Sequence, residues 1–310
     1  MKPILYASGF LLLSIALLLG LPHALNFTQT KIAAQNIPSN QVLTISGNQS
    51  VVAGVQKTNP HPQSLGLSVP ELSATSALIE DLNSNTILFV KDPNKRVPIA
   101  STTKIMTALV ASQYFQTTDI LTVPSDALVS GSTMGLKAGE KLTVRSLLYG
   151  LLLNSGNDAA YTLAMSYPGG VEGFVKAMND KIAQLGLLNT HFDNPAGFDS
   201  PNHFSSALDL SKIAILITES PQLSKIVATK EMEVASVDKT SVHELKNLNK
   251  LLNIPGVMGI KTGTTPAAKE NLVGLVEKDG HLFLTVVLGS NDRFLETEKL
   301  LNWVQANFQF

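Results

Sequence analysis

An α+β fold, an antiparallel sheet with a cluster of helices packed against it, is what the sequence predicts for residues 70–310. Three observations predict it: two strand-like runs open this region, three more lie near its end, and the apolar residues between them recur at helical spacing. Strands at both ends of a domain with helices between them are brought together most simply in one sheet.

Ser76–Leu82 and Thr86–Lys91 read as a hairpin across Asn83, Ser84 and Asn85, residues that tolerate turn conformations. A loop carrying Pro93 and Pro98 follows. In Ser101–Tyr114 the residues Ile105, Ala108, Leu109 and Ser112 stand at helical spacing, and Ser101 is expected as the N-cap. Thr143–Leu153 is apolar over most of its surface and predicts a central helix. A further helix over Asp158–Met165 leaves Ser155 on the turn between the two. Gly259–Thr264, Asn271–Glu277 and His281–Gly289 predict strands, the last two joined by Lys278-Asp279-Gly280, where Asp-Gly is a hairpin signal. Glu296–Phe308, with Leu300, Leu301, Val304 and Phe308 in register, predicts a closing helix.

Ahead of this domain, Ile4 to Leu21 is an almost uninterrupted apolar run, preceded by Lys2 and stopped by Pro22. Residues 1–25 therefore read as a signal peptide or an N-terminal membrane anchor. The anchor is favoured, because cleavage after Ala24 would place Pro22 where a small residue belongs. Residues 26–69, rich in Asn, Gln, Ser, Thr, Gly and Pro, read as a flexible linker, and 70–310 as a single catalytic domain.

Composition removes whole classes of function. The 310 residues hold no cysteine, which excludes disulfides, thiolate metal sites and cysteine nucleophiles. A net charge of -1, with only 15% charged residues, provides no basic field for nucleic acid. The histidines show no spacing that calls for a metal, and no cofactor is expected. Met134, in a Gly-rich loop, is expected as a packing residue.

The chemistry-bearing residues fall in three short segments. Ser101-Thr102-Thr103-Lys104 places a hydroxyl at a helix start and an amine one turn later on the same face. Ser155-Gly156-Asn157 offers a hydroxyl and a carboxamide on a turn. Lys261-Thr262-Gly263 offers a cation, a hydroxyl and a position without a side chain on a strand, where a ligand can approach the backbone. Spacing alone would mislead: Ser236-Val237-Asp238-Lys239 also fits the first pattern, and Ser46-Gly47-Asn48 and Ser200-Pro201-Asn202 fit the second, but none has the right setting. Order and setting together carry the signal. S-x-x-K opens a helix, S-x-N sits at an interhelical turn and K-T-G lies in a strand, which is the order found in penicillin-recognising serine enzymes.

The segments PIASTTKIMTALVA, LLLNSGNDAA, FDNPAGFDS with FSSALDLSKIA, and PGVMGIKTGTT with ENLVGLV closely resemble the serine-type D-alanyl-D-alanine carboxypeptidases, the low-molecular-mass penicillin-binding proteins, over about residues 70–305. The resemblance implies the β-lactamase/transpeptidase-like fold. It implies Ser101 as the acylated nucleophile, Lys104 as its base, Ser155 and Asn157 as the second motif, and Lys261, Thr262 and Gly263 as the substrate-binding third. The oxyanion hole would be formed by the N–H groups of Ser101 and Thr264. The implied substrates are peptidoglycan stem peptides, the implied inhibitors covalent β-lactams, and the implied location the outer side of the bacterial cytoplasmic membrane. Two departures stand out: Lys269 occupies a position where the family usually has glycine, and Thr264 one where some members have histidine or an aromatic residue. Members often carry a further C-terminal domain with a membrane anchor; this sequence ends at Phe310, so anchoring is expected at the N-terminus.

Three activities fit these motifs. A carboxypeptidase releasing the terminal D-alanine leads, a D,D-endopeptidase cutting cross-links is the alternative, and a silent wall-binding module is disfavoured by the complete set of reactive side chains. A class A-like β-lactamase is disfavoured because no Glu-x-x-Leu-Asn stands between Ser155 and Lys261.

Overall fold

The computed structural model describes residues 61–310. The predicted hairpin is present: β1 (Gln63–Ser64) precedes β2 (Ser76–Asp81) and β3 (Thr86–Lys91), and Asn85 takes the left-handed φ of 52° that the turn requires. A 3-10 turn at Ala100–Thr103 runs into α1 (Lys104–Tyr114). β4 (Ile120–Thr122) pairs with β5 (Lys141–Thr143), and α2 (Val144–Leu152) and α3 (Asn157–Met165) follow. Three helices that the periodicity analysis passed over come next: α4 (Gly170–Gln184), α5 (Ala207–Thr218) and α6 (Pro221–Val227). A hairpin of β6 (Glu231–Ala235) and β7 (Val242–Lys246) leads to β8 (Val257–Thr265), β9 (Lys269–Lys278) and β10 (His281–Ser290), and the chain closes with α7 (Arg293–Asn307) and β11 (Phe308–Gln309).

The main sheet has the order β3-β2-β10-β9-β8, with every neighbouring pair antiparallel, so its N-terminal hairpin is completed by the last three long strands. Helices cover both faces, and for that reason the central strands read as continuous apolar runs. Along β10, Leu284, Val286 and Leu288 join the large core with Ile105, Leu147, Phe174 and Ile213. Phe283 and Val287 face the other way onto Leu300 and Val304 of α7. The helical cluster packs on one face as expected, and α7 forms a third layer on the other.

Capping explains where the helices begin. Thr143, Ser206 and Asp292 each accept a hydrogen bond from the N–H three residues on. Ser101 does not act this way. It sits inside the 3-10 turn without a capping bond, so the N-cap expectation is corrected. Gln63–Ser64 pairs with Phe308–Gln309, which brings ordered structure back to residue 63, ahead of the expected domain start at 70. The run Ile4–Leu21, read as signal or anchor, and linker residues 26–60 lie outside the described residues. Among the described residues no helix is long and apolar enough to cross a membrane.

Glu296 of α7 ties the layers together. Its buried carboxylate accepts from Ser73 N–H, from Ala74 N–H at 3.1 Å and from Ser290 Oγ at 2.6 Å. Burial pushes its pKa up, but these hydrogen bonds outweigh it and hold the group below its ordinary 4.5. A depressed carboxyl contributes stability that is complete above 4.5 and is lost as pH falls through the lowered value. Glu296→Gln is accordingly expected to lose about 1–3 kcal/mol at pH 7 in urea unfolding. The gap from wild type should close at acid pH; an undiminished gap at pH 3 would remove the carboxylate from this account.

Candidate active site

Four segments converge where β8 passes the start of α1. Lys104 begins α1, and its side chain is fully buried. Its Nζ donates to Asn157 Oδ1 at 2.8 Å and to the Ala196 carbonyl at 2.6 Å, and lies 3.0 Å from Ser101 Oγ. The two obligate acceptors have a chemical consequence. The amide of Asn157 is oriented by its own Nδ2, which donates to the Ser130 carbonyl at 2.8 Å, so Oδ1 must face the lysine. A neutral amine has two hydrogens, and both are claimed by Asn157 and Ala196. Its lone pair is then left for the Ser101 hydroxyl, which gives as readily as it takes a proton.

Electrostatics favours that neutral form. Burial is the largest influence on Lys104, the charge of Lys261 adds to it, and Asp158 opposes; the pKa is lowered well below 10.5. Among the described residues no carboxylate forms an ion pair with Lys104. Asp158 is buried nearby, but its oxygens are taken up by the N–H groups of Met134, Gly135 and Leu136 at 3.0–3.1 Å. Together with the bond from Asn157 N–H to the Ser132 carbonyl at 2.7 Å, this rivets the loop over residues 130–136 to the start of α3. Met134 packs within that loop, its Sδ 2.0 Å from where a Cβ on Gly150 would stand.

Lys261, on β8, is buried, and its Nζ donates to the Thr262 carbonyl at 3.0 Å. Burial, followed by the charge of Arg293, lowers its pKa to about 7. Gly263 is where β8 comes closest to the serine segment. A Cβ there would stand 3.0 Å from Ile99 O, Ser101 N and Thr102 N, so a side chain at this position would push the strand and the 3-10 turn apart by a few tenths of an ångström. Thr264 is exposed, and its Oγ1 accepts from Arg293 Nη1, which also donates to the Gly263 carbonyl at 2.9 Å.

Ser155 lies at the α2–α3 turn, as expected. It is buried with a left-handed φ of 60°, and no hydrogen bond among the described residues links its hydroxyl to Ser101, Lys104 or Lys261. Ala100, immediately before Ser101, also has a positive φ, 48°. Such conformations cost a residue with a Cβ about 1–2 kcal/mol, so the surroundings must hold them. For Ala100 the hold is visible: its carbonyl accepts from Thr103 Oγ1, which in turn bonds His203 Nε2, both at 2.7 Å. His203 Nδ1 accepts from Asp193 N–H at 3.1 Å, which assigns the ring proton to Nε2. Burial lowers His203 to about 4 and keeps it in this neutral form.

The segment over residues 194–198, which supplies the Ala196 carbonyl to Lys104, is folded by Asn194. Its Oδ1 accepts from the N–H groups of Ala196, Gly197 and Phe198 at 2.7–3.1 Å. Asn194, His203, Asp158 and Arg293 were not singled out from sequence as site residues. Asn194 and Asp158 stand inside the quoted segments FDNPAGFDS and NSGNDAA, where an Asn-Pro turn and a carboxylate at a helix start were the available signals. Lys269 takes a φ of 52°, a left-handed conformation that favours glycine.

Known proteins resemble this chain in sequence and in fold. Residues 63–292 match the model of the peptidase S11 family, D-alanyl-D-alanine carboxypeptidase. The D-alanyl-D-alanine carboxypeptidase DacF of Bacillus subtilis is 32% identical over 246 residues, covering 76% of this chain, and the chain spans 63% of that relative's length. The D-alanyl-D-alanine endopeptidase of Pseudomonas aeruginosa is 31% identical over 273 residues, 86% of this chain and 87% of the relative. The crystal structure of the Streptomyces K15 DD-transpeptidase superposes with a TM-score of 0.73 at 34% identity, covering 77% of this chain and all of the other. The α+β fold is thus the one expected from the strand and helix pattern and from the family resemblance.

Gly197 tests how tightly the site is built. With φ 91° and an added Cβ 2.0 Å from Ala100 O, Gly197→Ala must displace either the Lys104 acceptor or the Ser101 segment. The expected result is a loss of about 2–4 kcal/mol in stability and at least a ~10-fold slower reaction of Ser101 with an acylating probe. An unchanged rate would show that the close approach is not needed.

Proposed function

The chain belongs to the peptidase S11 family, the D-alanyl-D-alanine carboxypeptidases, and from that premise we propose that it removes the terminal D-alanine from peptidoglycan stem peptides through an acyl-enzyme on Ser101. The observation that carries this reading is the buried Lys104 amine, with both hydrogens committed and its lone pair 3.0 Å from Ser101 Oγ. In this mechanism Ser101 Oγ attacks the carbonyl of the penultimate D-alanine while its proton passes to Lys104. Positioned proton transfer of this kind contributes roughly 10²–10⁴-fold. The N–H groups of Ser101 and Thr264 face the developing oxyanion, a pairing favoured by the close seating of Gly263 on the serine turn. Ser155 relays a proton to the departing amine through hydrogen bonds that form once substrate is bound. Lys261, cationic below about pH 7, acts with Thr262 to hold the terminal carboxylate, which distinguishes a chain end from an internal peptide. Arg293 adds a guanidinium at Thr264. Water then hydrolyses the ester, with no cofactor entering the scheme.

A second reading has its own support. The relative named as an endopeptidase matches this chain over most of both lengths, and an acyl-enzyme formed from a cross-link differs only in the amine that leaves. Penicillins, which present a strained amide and a carboxylate in the same relation, are expected as covalent inhibitors. Peptidoglycan lies outside the cytoplasm, and the apolar run Ile4–Leu21 supplies the export signal or anchor that such a substrate requires.

A fluorescent penicillin is expected to label the protein at Ser101, with labelling abolished in Ser101→Ala; persistent labelling would refute the nucleophile. Digestion of defined muropeptides, with products weighed by mass spectrometry, separates the two activities. Free D-alanine is the expected product, whereas cleaved dimers without free D-alanine would establish the endopeptidase instead.

A further inference from the structure

The end of α2 far from the Ser155 turn gathers hydrogen-bond donors that the chemistry above does not use. Arg145 stands on the first turn of α2, and the helix spans about 13 Å before the chain turns toward Ser155. A cavity of about 200 Å³ opens there between α2, α6 and the segment before β4, lined by Thr117, Arg145, Tyr149, Gln222, Lys225 and Ile226. No acidic side chain lines it. Gln222 Nε2 is buried without a hydrogen-bond partner. Tyr149 is 3% exposed, and its hydroxyl, also without a partner among the described residues, reaches solvent only through the cavities that Tyr149 lines. Arg145 lies over the Tyr149 ring at 6.0 Å. Among the described residues neither its guanidinium nor the Lys225 ammonium forms a hydrogen bond or an ion pair.

Unmade bonds at buried donors raise the free energy of the fold, and two like charges on one small cavity repel. An anion that accepts hydrogen bonds relieves both effects at once. A tetrahedral oxyanion suits this set better than a carboxylate, because the donors approach from three separate elements rather than from one planar fork. A second cavity of about 580 Å³ adjoins the first, sharing Thr117, Arg145 and Tyr149 with it, and its volume falls within the roughly 300–1,000 Å³ of small-ligand sites. Its character changes away from the cations: Thr118 and Ser146 add hydroxyls, Met232 and Val234 of β6 an apolar floor, and Glu233 a carboxylate with no ion pair among the described residues. Glu233 accepts hydrogen bonds from hydroxyl groups and repels a second anionic group at that end.

We propose that the two adjoining cavities form a binding site for a phosphorylated polyol or sugar, separate from the reactive serine. Arg145, Lys225, Gln222 and Tyr149 hold the phosphate, and the hydroxyl-bearing body lies along Met232 and Val234 toward Glu233. The inference stands apart from the peptidase reading, since none of these side chains belongs to the three motifs.

The test is an NMR titration of the full chain with glycerol 3-phosphate, followed at the Gln222 side-chain amide, whose resonances are assigned by their absence in Gln222→Met. A saturable shift of these resonances is expected, with its midpoint raised about tenfold or more in Arg145→Gln and in Lys225→Gln. Both residues are exposed, so these substitutions leave the fold intact. Inorganic phosphate, titrated in parallel, is expected to bind at the same amide more weakly than glycerol 3-phosphate; equal midpoints would overturn the polyol assignment. A glycerol phosphodiester forms a further arm: tighter binding of the diester identifies a phosphodiester-linked chain as the source of the ligand, and tighter binding of the monoester a free sugar or polyol phosphate. No saturable shift at Gln222 with any of these compounds, or a midpoint unchanged in both variants, would overturn the site while leaving the peptidase reading intact.

Discussion

One nitrogen atom holds three parts of the chain in register. Lys104 Nζ touches the serine of its own helix start, the carboxamide that opens α3 and the carbonyl of the loop before Gly197, and its charge is opposed by Lys261 on β8. A buried amine in this position is costly as a cation and useful as a base, and the same burial produces both effects. The sheet supplies Lys261 and the helical cluster supplies Asn157; Lys104 is bonded to the second and feels the charge of the first.

Much of the surrounding structure serves to keep that contact at hydrogen-bond length. Ala100 and Ser155, in left-handed conformations, turn the chain sharply at the two serine-bearing motifs. Thr103 and His203 brace the first, and Asp158 draws the N–H groups of residues 134–136 around the second. Beyond it, His243 Nε2 bonds Glu140 Oε1 at 2.6 Å and Nδ1 bonds the Met134 carbonyl at 3.1 Å, fastening β7 to the same loop. Each of these bracing side chains is buried and hydrogen-bonded, which favours one arrangement of the two loops.

How much of this was legible in the sequence follows from what each signal depends on. Strand pairs and the helices α1, α2, α3 and α7 were readable because their apolar residues alternate or recur locally. The helices from α4 to α6 were not assigned by period. Nor could periodicity show that Phe283 and Leu284 face opposite layers, because a strand covered on both sides has no polar face to mark it. Order and setting marked Ser101, Lys104 and Asn157, which the fold brings together. Their supports, Asn194 and His203, act through backbone groups brought close only by tertiary folding. Ser101 shows the limit from the other side: a serine before an apolar helix is an N-cap on local grounds, and here its hydroxyl is turned to Lys104 instead. Lys269 carries a backbone cost that appears only in its φ.

The account depends on Lys104 being an amine rather than an ammonium at the pH where the enzyme works. Titration of ¹³Cε-labelled lysines by NMR, with the resonance assigned through its disappearance in Lys104→Arg, reads that state directly. A Lys104 midpoint well below 10.5 is the predicted result, and a midpoint at or above 10.5 would contradict the account.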